Sequence, residues 1–174
     1  GVWRPWRVQA SCVVTVNRAM LDAIKSSNGA YRGVGIADDT FSENDFQDLH
    51  NGGVRGMRFN FVRHLGGAPD LAKMQTVLDR VKPLGWHLVI HVNAEDMIQY
   101  ESFFNQIDME IVVDHMGRVP TSGGVGQKAY QILLDFMQRD NWWVKVCGSE
   151  RIAVSPPFYD AIPYAQGLVE LAPD

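Results

Sequence analysis

Three consecutive β-branched residues, Ile111-Val112-Val113, run directly into Asp114, His115 and Arg118. This is the feature that most constrains the chain. Branched side chains suit a pleated surface, and a run apolar on both faces suits a buried parallel strand. The polar residues follow where such a strand surfaces. Other runs end the same way: Gly53-Val-Arg-Gly-Met-Arg-Phe-Asn-Phe-Val-Arg-His64 finishes in Arg58, Asn60, Arg63 and His64. His87-Leu-Val-Ile-His-Val-Asn93 finishes in His91 and Asn93, and Trp142-Trp-Val-Lys-Val-Cys-Gly-Ser-Glu-Arg151 in Ser149 and Arg151. Polar residues gathered at the carboxyl ends of parallel strands mark an α/β active site.

Between these runs lie helical patterns. Strands are expected over 7–16, 31–37, 53–62, 87–93, 111–113 and 142–148. Helices are expected from Asn17, as cap, to Ser27; from Ser42 to Gly52; from Asp70 to Gly85; and over about 96–106, 127–139 and 157–171. Strict alternation argues for an α/β fold with a parallel sheet. Met57, Phe59 and Phe61 share one strand face, and Arg58 and Asn60 share the other. One apolar and one partly polar face fits a (β/α)8 TIM barrel better than an open doubly wound sheet. A closed barrel needs about 200 residues or more, whereas this chain has 174 and six units. The expectation is one domain over 1–174, a partial barrel holding strands two to seven and lacking the first and eighth.

A formal charge of −4 gives no basic footprint for nucleic acid. No apolar run reaches membrane-spanning length, and Trp3-Arg-Pro-Trp-Arg7 lacks the core of a signal peptide. Cys12 and Cys147 fall in expected buried strands and read as free thiols of a reducing, cytoplasmic compartment. Gly123-Gly-Val-Gly-Gln-Lys128 echoes a phosphate loop without its Gly-Lys-Ser/Thr ending, and reads as a flexible loop.

The segments Gly53–Phe61, Val112–Arg118, Trp143–Gly148, Ser149–Ile152 and Tyr164–Asp174 resemble the amidohydrolase-related family. They are most similar to its lactone-hydrolysing branch of 2-pyrone-4,6-dicarboxylate lactonases, enzymes of aromatic catabolism. The resemblance implies a (β/α)8 barrel and hydrolysis of a carboxylated lactone ring. It makes His115 the site histidine, polarising the scissile carbonyl or binding a metal. His91 stands where metal-dependent relatives place a ligand and the metal-free lactonases a tyrosine. Two cofactor states follow: none, or one divalent metal such as zinc with His91 and His115 among its ligands.

Arg58, Arg118 and Arg151 come from different strand ends, and guanidinium forks suit a di- or tricarboxylate. The resemblance adds Ser11 and His64 as substrate contacts, with Arg63 beside His64 as the basic group. Arg55 reads as a surface ion pair, Asp114 as an outward-facing orienting group, and Lys145 as the partner of an acidic residue. The general base implied by the family is an eighth-strand aspartate. The alternatives are a metal-dependent decarboxylase or sugar-lactone hydrolase of the same family, or a catalytically dead fragment that only binds anions. The expected partners are a small carboxylated substrate and, through unpaired barrel edges, other copies of the chain.

Overall fold

In a computed structural model, the backbone of residues 6–8 and all of residues 17–171 are described. Ser11 and Cys12, with most of the first expected strand, lie outside the described residues. Strands and helices alternate through six units: β1 (Trp6–Val8), α1 (Arg18–Ser26), β2 (Arg32–Gly35), α2 (Glu43–Asn51), β3 (Val54–Asn60), α3 (Leu71–Val81), β4 (His87–His91), α4 (Ala94–Phe104), β5 (Ile111–Val113), α5 (Lys128–Met137), β6 (Trp142–Val144) and α6 (Ile162–Leu171). The chain divides into two compact units, Gly1–Val89 and Ile90–Asp174.

In the first unit β1, β2 and β3 pair in parallel and in sequence order. Helix α1 lies directly on β2, because Gly33 offers no side chain: a Cβ there would come within 2.7 Å of Met20 Sδ and 2.8 Å of Ile24 Cδ1. Asn17 opens α1 without capping it. Its amide instead donates to the Ile36 carbonyl and accepts from the Ile36 N–H, at 2.8 and 3.0 Å. That paired bond, like one rung of a strand ladder, joins the start of α1 to the end of β2 and outcompetes the cap. Ser42 does form a capping box with Asp45, each side chain bonded to the other's backbone N–H. Asp70 caps α3 through the N–H groups of Ala72 and Lys73. Helix α3 buries Met74, Val77, Leu78 and Val81, the stripe that its 3.6-residue spacing requires.

In the second unit β5 and β6 pair in parallel, from Ile111↔Trp142 to Val113↔Val144. Helix α5 buries Tyr130, Leu133 and Met137, and Phe136 stacks on Trp142 with ring centroids 4.0 Å apart. β6 is shorter than the sequence suggests. The Cys147 N–H turns back to the Lys145 carbonyl at 2.9 Å, a tight three-residue turn, and Gly148 adopts φ +77°. The strand therefore ends at Val144, and Val146 and Cys147 are exposed rather than buried. Trp143 also faces outward, its indole N–H donating to Glu110 Oε2.

The segment after β5 is tied down, not free. Gln127 Nε2 donates to the carbonyls of Pro120 and Gly124 and to the Tyr164 hydroxyl. Asp160 accepts from the Thr121 hydroxyl and the Val154 N–H, and these bonds hold its carboxyl below the usual range. A depressed folded pKa stabilises above the unfolded carboxylate value, and the gain is lost as pH falls through the folded one. Asp160→Asn should therefore lower the thermal midpoint near neutrality, with the difference from wild type starting to shrink only once pH falls below the ordinary carboxylate value of about 4. A midpoint difference that persists unchanged into acid would show that the Asp160 charge is not what ties this segment.

Candidate active site

The second unit holds four of the eight expected site residues, His91, His115, Arg118 and Arg151, and two of them lie on the turn that follows β5. His115, Met116, Gly117 and Arg118 all have positive φ, at 54°, 51°, 63° and 49°. Left-handed backbone costs a non-glycine residue about 1–2 kcal/mol, so three such residues within four positions need outside support. The Met116 N–H donates to the Lys145 carbonyl, and the Lys145 N–H donates to the Val113 carbonyl, at 3.2 and 2.9 Å. Met116 is buried, and Gly117 packs against the Met97 side chain, whose methyl a Cβ there would meet at 2.7 Å. With about three residues per turn, positions i and i+3 stand on one side. Burying Met116 and Gly117 thus presents His115 and Arg118 together, each half-buried.

His115 packs edge-on against His91 of β4, ring centroids 5.5 Å apart at 71°. His91 is buried, at 2% exposure. Cys147 Sγ lies 3.4 Å from His115 Nδ1, so the ring's Nε2 edge is directed away from the thiol. Gly148 backs the same ring: a Cβ there would lie 3.0 Å from Nδ1 and 3.1 Å from the histidine Cβ. Neither contact was anticipated. Val-Cys-Gly is strand-like by composition, and only the glycine hints at a turn.

Arg118 Nε donates to Asn93 Oδ1 at 2.8 Å. Its pKa lies below the ordinary arginine value, chiefly from burial and secondarily from the Arg151 charge. Arg151 is exposed and pairs with Glu150 at 3.2 Å. Glu150 is held below the usual carboxylate range, first by a hydrogen bond from its own backbone and then by Arg151. Lys145 pairs with Asp114 at 2.7 Å. Asp114 is 3% exposed, so it faces inward, not outward. Its parity fails because the strand has already ended at Val113.

Within the first unit, Arg58 is buried at 8% exposure in β3. Arg63 and His64 are both exposed in a 3-10 turn, Arg63–Leu65, whose end Asn60 ties back through bonds to the Val62 and Leu65 carbonyls. Ser11 is outside the described residues. Arg55 makes no ion pair among the described residues; its Nη1 donates to the His50 and Val54 carbonyls.

His91 and His115 are the imidazoles on which a metal would rest. Among the described residues, no group of three or more His, Cys, Asp or Glu side chains is arranged to hold an ion. Catalytic zinc takes three protein ligands. The described donor set supplies two of these, His91 and His115.

The model of the amidohydrolase family matches residues 1–174. The chain belongs to this family. This amidohydrolase is 39% identical over 177 residues to a 2-pyrone-4,6-dicarboxylate hydrolase of Comamonas testosteroni, covering 96% of the chain and 58% of the relative. It is 31% identical over 160 residues to a 4-sulfomuconolactone hydrolase of Rhizobium radiobacter, covering 91% of the chain and 54% of the relative. The chain thus spans a little over half the length of these curated relatives. A crystal structure described as a probable 2-pyrone-4,6-dicarboxylic acid hydrolase from Acinetobacter baumannii, with citric acid bound, superposes with a TM-score of 0.81 at 28% identity. That match covers 95% of this chain and 61% of the other. An Agrobacterium tumefaciens structure shares the fold, with a TM-score of 0.83 at 22% identity over 98% of this chain and 62% of the other. The α/β, TIM-barrel class expected from strand–helix alternation is the fold of this amidohydrolase, which corresponds to part of such a barrel.

The packing of Gly148 on His115 makes a specific demand. Gly148→Ala forces a left-handed alanine against the imidazole, and should cost about 1–2 kcal/mol of stability in denaturant melts. It should also shift the His115 ring signals in NMR spectra. Unmoved His115 signals would show that Gly148 does not set the position of the ring.

Proposed function

We propose that this amidohydrolase chain carries the carbonyl-polarising part of a lactone hydrolase acting on carboxylated ring esters. The reading rests on the left-handed turn 115–118, which aims a histidine and an arginine to the same side. Strained backbone of this kind persists where the surroundings over-determine it, and it clusters at active sites. The Comamonas relative, a 2-pyrone-4,6-dicarboxylate hydrolase, supports the ring-ester class. Citric acid in the Acinetobacter relative supports recognition of several carboxylates.

On this reading the Nε2 edge of His115 donates to the lactone carbonyl oxygen, and the charge that develops as water attacks is stabilised there. His91, packed against the ring, keeps it from turning away. Arg118, held by Asn93, takes a substrate carboxylate through its remaining N–H groups, and Arg151 adds positive charge beside it. Arg58, Arg63, His64 and Ser11 are the further substrate contacts that the family resemblance suggests. The water-activating base is, by the same resemblance, an aspartate of an eighth barrel strand. Collapse of the tetrahedral adduct breaks the ring C–O bond and yields a carboxylate and an enol or alcohol.

The test is hydrolysis of 2-pyrone-4,6-dicarboxylate by the full-length natural protein, followed by loss of the ring's ultraviolet absorbance. His115→Asn should lower kcat by about 10²–10³-fold, the loss for one oxyanion donor. Arg118→Gln should raise KM more than it lowers kcat. Full turnover in His115→Asn would remove the proposed role. Turnover abolished by a chelator and restored by zinc would favour the metal-dependent reading, in which His91 and His115 are ligands.

A further inference from the structure

At the amino ends of β2 and β3, Arg32 and Arg55 open into a cleft of about 500 Å³, which Lys25 and Asp22 of α1 and Asn51 of α2 also line. Substrate sites of α/β proteins form at the carboxyl ends of the strands, so lactone chemistry does not account for this cleft. Both guanidinium groups are fixed in the same manner. Arg32 Nη1 donates to the Gly29 and Tyr31 carbonyls at 2.9 and 2.8 Å. Arg55 Nη1 donates to the His50 and Val54 carbonyls, both at 2.6 Å.

A guanidinium has five N–H donors, and Nη1 carries two of them. Both are used on backbone oxygens, which leaves Nε and Nη2. That remaining edge is the fork that meets a carboxylate or phosphate in bidentate fashion. Among the described residues neither guanidinium is ion-paired. Arg55 is half-buried, and its pKa is lowered first by that burial and then by the charge of Arg32. Two like charges are therefore held close enough to repel. Counting Lys25, Arg32 and Arg55 against Asp22, the cleft carries three positive charges and one negative, a net of +2 on a chain whose formal charge is −4.

We propose that this cleft is a second anion site, taking a small dianion of the phosphate class, either free phosphate or a phosphomonoester. The Nε–Nη2 edges of Arg32 and Arg55 grip its oxygens, and Lys25 supplies the third charge. Because the backbone carbonyls already fix the guanidinium groups, little side-chain freedom is lost on binding.

Calorimetric titration of the full chain with inorganic phosphate, glycerol phosphate and succinate tests this. Both phosphates should bind in the millimolar range or tighter, and weaken as salt is raised. The Arg32→Gln/Arg55→Gln protein should lose at least about tenfold in affinity, as expected for removing charge-assisted hydrogen bonds. Arg118→Gln, which alters the other cationic site, should bind phosphate as wild type does. Lys25→Gln, on the exposed face of α1, should weaken binding a few-fold even if the double variant misfolds. No phosphate binding by wild type, binding of succinate alone, or binding lost in Arg118→Gln and kept in both cleft variants would overturn the proposal.

Discussion

The left-handed turn from His115 to Arg118 is the constraint on which the candidate site depends. Three non-glycine residues in that region raise the energy of the backbone by several kcal/mol on the usual scale. The cost is tolerable only because neighbouring segments fix the turn from several directions. The Met116 N–H is bound to the β6 extension, Met116 itself is buried, and Gly117 sits against Met97. A right-handed turn with the same sequence would place His115 and Arg118 differently relative to Met116. The buried methionine and the two polar residues are thus parts of one arrangement.

The extension of β6 works with that turn. Lys145 touches the site in two ways: its backbone accepts from Met116 and donates to Val113, and its ammonium neutralises buried Asp114. A carboxylate as buried as Asp114 requires a partner, since an isolated buried charge is far costlier than a paired one. Two residues further on, the chain turns at Cys147 and crosses behind the His115 ring at Gly148. A Cβ at 148 would press on the imidazole at 3.0 Å. Lys145 therefore braces both the turn and the buried acid, while Cys147 and Gly148 brace the ring.

Most of the fold was legible because the hydrophobic periods are clean. The β-branched run of β5, the α3 stripe and the Ser42 and Asp70 caps all declare themselves in sequence. The features that were not legible depend on tertiary competition. Asn17 is a good cap by type, yet its amide is better used on the Ile36 backbone. Trp142–Cys147 is strand-prone throughout, but the tight turn at Cys147 ends the strand early and exposes the thiol. Asp114 has the parity of an outward residue only if β5 continues past Val113, which it does not. His115 and Arg118 were identifiable as site residues by their position after the strand. The handedness that brings them together was not, because glycine and histidine tolerate positive φ in His-Met-Gly-Arg, but methionine and arginine do not favour it.

The electrostatics of the site single out one cation. Lys145 is matched by Asp114, and Arg151 by Glu150, so each of those charges is largely answered from within the chain. Arg118 is oriented by Asn93, an amide with no net charge. A carboxylate in place of Asn93 would hold the guanidinium equally well but would cancel its charge. An amide fixes direction and leaves the charge undiminished, and partial burial strengthens its interaction with an incoming anion. Among the described residues, acidic side chains pair with Lys145 and Arg151, and none pairs with Arg118, which faces the same side as His115.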